Sequence, residues 1–229
     1  MDLSTATFPA KLAYYRRKYG LAHAAGSYVG RLSSGFWRLA GPRLTRSYMR
    51  RWSEAHDRPR VLNLGGGSHC LDGCLTVDID ARADAYVDVT TPLPFANASV
   101  DAIFCEEVIE HVDYPTGLRL LRECHRILVP SGVLRLTTPD LDWFARRVLA
   151  ESQAWVEANS IFYDHGHRCV YTPRALLERC LGAGFVDPRP SSYRDASSRL
   201  GHLDSHADRF AHPPEMSQYL EVFKPAAAQ

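Results

Sequence analysis

The segment VLNLGGGSHCLDGCLTVDID, residues 61–80, constrains the fold more than any other part of the chain. A short apolar run, VLNL, stops at three consecutive glycines, Gly65, Gly66 and Gly67, and a second run, CLTV, ends in acids at Asp78 and Asp80. Short apolar runs bounded by turn residues read as buried strands. Glycines after the first strand let a ligand approach the backbone and leave N–H groups facing it. An acid ending the next strand can accept from both hydroxyls of a ribose, with Asp78 placed first for this and Asp80 second. A dinucleotide fingerprint does not fit: its third glycine position is Cys70, and Gly65 is thirteen residues from Asp78, against roughly twenty in that fingerprint. The first crossover helix must be nearly absent, which argues against NAD.

The rest of the chain extends the same alternation. AYVDV, VDAIFC, VLRLTT, DPRPSSY and QYLEVF read as further strands. PTGLRLLRECHRIL reads as an amphipathic helix with Pro115 in its first turn, LDWFARRVLAESQAWVEAN as one long helix, and TPRALLERCLGAGF as a helix capped by Thr172 and closed near Gly184. Strands alternating with helices imply an α/β fold with a mainly parallel sheet, whose ligands bind beyond the carboxyl ends of the strands. Residues 8–56 read as two or three short helices, with Leu44, Tyr48 and Trp52 on one face and Gly20, Gly26, Gly30 and Gly41–Pro42 as breaks. The expected division is a basic helical extension over 1–58 and the α/β domain over 59–229.

Charge is unevenly spread. Residues 1–60 carry twelve Lys/Arg against three Asp/Glu, net +9, and the remainder fifteen against twenty-three, net −8. The basic arm is suited to an anionic partner, or to peripheral contact with a membrane surface, or simply presents a solvated face. No apolar run approaches the roughly 18 residues of a membrane span, and the N-terminus lacks the order of a signal peptide, so a cytoplasmic location is expected. The six cysteines, Cys70, Cys74, Cys105, Cys124, Cys169 and Cys180, form no zinc pattern and read as reduced structural thiols.

A third acid, Asp88, ends the third strand, where it could accept from an adenine amino group while the Val89 N–H faces a ring nitrogen. This order resembles the class I S-adenosylmethionine-dependent methyltransferases. The matching pieces are VLNLGGGS, TVDID, VDVTTPLPFANASVDAIFCEEVIEHV, ECHRILVPSGVLRLTTPD and LLERCLGAGF. The resemblance implies a Rossmann-like fold with a seven-stranded sheet whose last strand is antiparallel. It also implies that S-adenosylmethionine is the cofactor, with Asn63, Gly65, Gly66 and Gly67 around its methionine end. Asp78 would hold the ribose, Asp88 and Val89 the adenine, and Cys105 and Glu106 would line the methionine part. Asn63 stands where the family has an acid and His69 where it has the last glycine of the motif, so the cofactor amino group would be held differently.

CEEVIEHV, residues 105–112, follows the fourth strand. At about 100° per helical residue, Glu107, Glu110 and His111 share one face. Two carboxylates and an imidazole there form part of a divalent-cation site suited to magnesium, manganese, iron or zinc. YDHGHRCVYTP offers His165 and His167 as a further ligand. The segment resembles the E-x-x-E-H motif of small-RNA 2'-O-methyltransferases and ubiquinone-pathway O-methyltransferases, which points to His167 as the distal histidine. It implies a metal on Glu107, Glu110, His111 and His167 that holds neighbouring hydroxyls and lowers the pKa of one. Without a metal, His111 reads as a general base or a residue packed under the pocket.

SSYRDASSRLGHLDSHADRFAHPPEM, residues 191–216, lies where this fold shapes an acceptor pocket, with His202, His206, His212, Arg194 and Arg199. The short first crossover and PLPF…VDAIF also resemble bacterial methyltransferases found with surface-glycan and antibiotic-sugar genes. The expected activity is O-methylation of a saccharide or other small polyhydroxylated acceptor. An RNA ribose methyltransferase is the alternative; the acidic catalytic half and the lack of an RNA-binding module argue against nucleic acid. A non-catalytic partner that keeps the fold is the third reading.

Overall fold

A computed structural model describes residues 16, 25, 29, 32–54, 59–151, 153–163 and 165–227, with the backbone alone at 157. Seven strands form one sheet: β1 (Val61–Leu64), β2 (Cys74–Asp78), β3 (Ala85–Tyr86), β4 (Val100–Glu106), β5 (Leu128–Pro139), β6 (Val186–Ser191) and β7 (Ser217–Phe223). Their spatial order is β3-β2-β1-β4-β5-β7-β6. The first five run parallel, and β7 is antiparallel to both of its neighbours. The expected Rossmann-like α/β fold is present. The strand order turns between β1 and β4, so a cleft opens beyond their carboxyl ends.

The described helices are α1 (Ser34–Leu44), α2 (Arg46–Glu54), α3 (Tyr114–Ile127), α4 (Leu141–Ala150), α5 (Trp155–Tyr163), α6 (Pro173–Gly182) and the short α7 (His206–Phe210). α3 begins where Asp113 accepts from the Thr116 N–H, with Pro115 in the first turn. It buries Leu120, Leu121, Cys124 and Ile127 on its sheet-facing stripe. Each buried leucine contributes about 1.5–3 kcal/mol. α6 begins at the Thr172 cap, and Gly184, at φ +102, lets the chain turn into β6.

Three boundaries differ from the sequence reading. Gly41–Pro42 does not break the N-terminal run: both lie inside α1, and the break falls at Thr45. Gly41 is required by packing, because a Cβ there would sit 2.9 Å from Tyr86 Cβ. Thr45 Oγ1 donates to Gly41 O and accepts from Tyr86 N, tying α1 to β3. The expected long helix after β5 is two helices, α4 and α5, with Glu151 capping the first through its N–H to Arg147 O. Only Ala85–Tyr86 of AYVDV pairs as a strand. The part of the basic extension before residue 32 falls, apart from positions 16, 25 and 29, outside the described residues.

The core lies mainly between the sheet and α3 and α6, where Ile103, Cys105, Leu121, Cys124, Leu134, Leu176 and Cys180 are buried together. On the other face Ala102, Phe104, Val133 and Leu200 pack. Arg135 of β5 is fully buried on that face and forms a forked ion pair with Asp204, with Nη2 also donating to Ser192 O. This pair pins the β6–β7 connection over the sheet. Among the described residues no helix is long and apolar enough to cross a membrane.

Candidate active site

The glycine turn after β1 is built by its own backbone and by two side chains. Gly65 and Gly67 have φ of +75 and +55, a region that disfavours side chains. A Cβ on Gly65 would lie 2.4 Å from Val108 Cγ2, and one on Gly66 would lie 2.3 Å from Asn63 Nδ2. Asn63 is buried, and its amide donates to His69 O at 3.0 Å and Thr76 Oγ1 at 3.1 Å. It lines the cleft but its donors shape the turn. Asp78 accepts from Gly67 N at 3.0 Å and from Asp80 N at 2.8 Å. Burial raises its pKa, and these N–H groups oppose the rise.

Asp78 opens onto a cavity of about 560 Å³ shared with Trp37, Arg38, Asp80 and Arg82. Asp88 accepts from the Thr90 N–H and hydroxyl, while Val89 packs against the core. Neither of these two lines the 560 Å³ cavity or the larger cleft.

That larger cleft, of about 970 Å³, runs from Asn63 and Gly65–His69 past Glu106 to Glu107, Glu110, His111 and His167. Phe144, Ile161, Phe210 and Met216 supply apolar wall. Cys105 is a correction. Strand alternation turns its side chain into the α3/α6 core, where it is 1% exposed and away from the cleft. Glu106, one residue on, faces the other way. Its carboxylate accepts from Ser205 N at 2.7 Å, Ser205 Oγ at 2.8 Å, His206 N at 3.1 Å and Arg209 Nη2 at 2.8 Å, with His206 Nδ1 at 3.2 Å. Burial alone would raise its pKa, but the hydrogen bonds from His206 and Ser205 outweigh it and hold it at about 2.

The segment after β4 is not an α-helix, contrary to the spacing argument. Glu107 adopts φ +55, and a 3-10 turn spans Ile109–His111. The turn nevertheless gathers Glu110, His111 and His167, whose ligand atoms all lie within 4.8 Å of one another. Glu107 is outside this group; its Oε1 lies 3.9 Å from His206 Nε2. Glu110 is fully buried, with Oε2 accepting from Thr138 Oγ1 at 2.9 Å. Its carbonyl accepts from Arg168 N and Cys169 N, which docks the His167 loop onto the turn. Among the described residues the buried atoms Glu107 Oε1, Glu110 Oε1 and His167 Nδ1 have no hydrogen-bond partner.

Burial and the neighbouring Glu107 push Glu110 well above the usual carboxylate range, and burial raises Glu107 as well. Burial lowers His111 and, with His111 beside it, takes His167 down to about 4. His165 lines the cleft near Ser160, with Nε2 at 3.4 Å from its hydroxyl. Arg209 and Phe210 line the cleft and were not singled out in sequence, while His206, named there with the acceptor region, is buried against Glu106. The contacts of Ser205, His206 and Arg209 with Glu106 span 99 to 103 positions, which no local pattern carries. Arg194 is paired with Asp208 instead of facing the cleft.

A family profile described as a methyltransferase domain matches residues 36–187. The chain belongs to this methyltransferase family. Residues 36–187 form its methyltransferase domain. A ubiquinone biosynthesis O-methyltransferase of Xanthomonas campestris is 36% identical to this methyltransferase over 70 residues, 31% of the chain. That stretch spans about a quarter of the relative's length, 26%. A solved SAM-dependent methyltransferase of Archaeoglobus fulgidus shares the fold, with a TM-score of 0.51 at 15% identity over 86% of this chain and 98% of that one.

The glycine turn of this methyltransferase domain fits the close approach of a cofactor: Gly65 and Gly66 pack too tightly on Val108 and Asn63 to carry a Cβ, and Gly67 faces open space in the cleft. The donor set is also of the kind a divalent cation takes: a buried carboxyl and two imidazoles converge, and Glu110 Oε1 and His167 Nδ1 have no hydrogen-bond partner among the described residues.

Proposed function

We propose that the protein is an O-methyltransferase acting on a hydroxyl of a saccharide or other small polyhydroxylated acceptor, with a divalent cation held by Glu110, His111 and His167. The observation that carries this reading is the convergence of those three residues, with buried atoms lacking partners, in the same cleft as the glycine turn. The partial relative named as an O-methyltransferase supports the same direction. S-adenosylmethionine supplies the electrophilic methyl group. A cation at the Glu110 end would hold an acceptor hydroxyl and lower its pKa. The glycine turn orients the methyl donor, and Phe144, Ile161 and Phe210 exclude water beside it. Ser160, His165 and His212 add polar groups on the wall, suited to several hydroxyls on one acceptor.

The test is methyl transfer from labelled S-adenosylmethionine to neutral sugars and to catechol, with and without EDTA. Methyl ethers should form, vanish with EDTA, and return with magnesium or manganese. Transfer to amines alone, or turnover unchanged by EDTA in protein free of metal, overturns the reading. Transfer to RNA ribose with no product from small acceptors would move the acceptor to the ribose alternative.

A further inference from the structure

The methionine end of the cofactor carries a carboxylate, and the glycine turn offers it little. Asn63 has its amide bound to His69 O and Thr76 Oγ1, and Gly67 N is bound to Asp78. Two arginines line the cleft, Arg82 and Arg209. Arg82 is clamped on Asp80 through Nε and Nη2, at 2.6 Å for the closest contact. Arg209 reaches the same region from a distant part of the chain, the connection between β6 and β7. It gives one N–H to Glu106 Oε2, and its guanidinium carbon lies 5.2 Å from the Phe210 ring centroid. An arginine has five N–H donors, so most of the fork is free for an anion.

A second observation comes from the turn itself. His69 lines the cleft, and its Nε2 is buried without a hydrogen-bond partner. Its charged form is disfavoured by burial and then by the nearby Arg209, so the ring is a neutral donor close to that cation. We propose that Arg209, with the His69 ring N–H beside it, binds the α-carboxylate of the cofactor's methionine part. Glu106 is then a positioning residue: its contacts to Ser205, His206 and Arg209 fix the segment that delivers the guanidinium. The same segment brings Phe210 and His212 to the cleft, so the cofactor's amino-acid end braces a wall of the acceptor region.

The proposal rests on the cofactor assignment and needs no acceptor to test. Calorimetric titration of the full chain would compare S-adenosylhomocysteine with 5'-methylthioadenosine, which lacks the amino-acid part. Wild type should favour the former. Arg209→Gln should weaken S-adenosylhomocysteine about tenfold or more and leave methylthioadenosine within about twofold. Asp208→Asn alters the same helix at its exposed Arg194 pair without touching Glu106 or Arg209, so the ratio of the two affinities should hold. An unchanged ratio in Arg209→Gln overturns the proposal, and so does an equal change of the ratio in Asp208→Asn, which would mark a structural role. Failure of wild type to bind either ligand would instead overturn the cofactor assignment, and the proposal with it.

Discussion

The two ends of the main cleft are built on opposite terms. At the glycine end the polar side chains other than His69 are matched: Asn63 holds the turn, Asp78 holds Gly67, and Glu106 takes five contacts from one segment. At the other end Glu107, Glu110 and His167 each keep a buried atom without a partner. Such atoms carry a desolvation cost of about 1–3 kcal/mol each. One end is pre-shaped by the fold, while the other keeps buried polar atoms unmatched among the described residues. The difference teaches where a ligand contributes binding energy and where it only finds a shape.

The largest expected effect lies at the unmatched end. His167→Ala should lower methyl transfer about 100-fold, and added magnesium or manganese should not restore it. An unaltered rate would erase the contrast. Next, a cation at about 100 times its Kd should stabilise wild type by about 2.7 kcal/mol, read as a rise in Tm that His167→Ala abolishes.

At the matched end, Glu106→Gln should cost about 1.5–3 kcal/mol by chemical denaturation at neutral pH. Glu106 has a folded pKa of about 2, below its unfolded value near 4.5, so the unfolded state binds the proton first. The difference between wild type and variant should therefore be full above about pH 5 and shrink as pH falls toward 2. A pH-independent difference would show that the charge of Glu106 is not what holds the segment. Smallest, Gly66→Ala should cost about 1–3 kcal/mol through the clash with Asn63 and weaken cofactor binding measured by calorimetry.

The alternation of strands and helices was legible because burial imposes a period of two or 3.6 on neighbouring residues. Pro115 at the start of α3 and the Thr172 cap were local signals, and Thr172 Oγ1 accepts from Ala175 N as its position demands. The end of β4 was harder. A helical period grouped Glu107 with Glu110 and His111, but a left-handed residue at Glu107 sends its carboxylate toward His206. Cys105 was misplaced because adjacency in sequence to Glu106 hides the opposite direction of the two side chains. Pro42 stays inside α1 because Thr45 and Tyr86 hold that helix against β3, a tertiary contact that overrides local propensity. Glu106 and Arg209 meet across 103 positions, and only the folded sheet brings them together.

The order of the sheet bears on how the chain is made. β7 is the last of the seven strands to leave the ribosome, yet it lies between β5 and β6. Until residues 217–223 emerge, β5 presents an open edge from Val133 to Pro139, the stretch that later pairs with β7. An unpaired edge of this kind is a template for wrong partners. β6 pairs with β7 alone, so neither can join the sheet before residues 217–223 arrive, and the slow step of folding is expected to be the late addition of both strands to the open β5 edge.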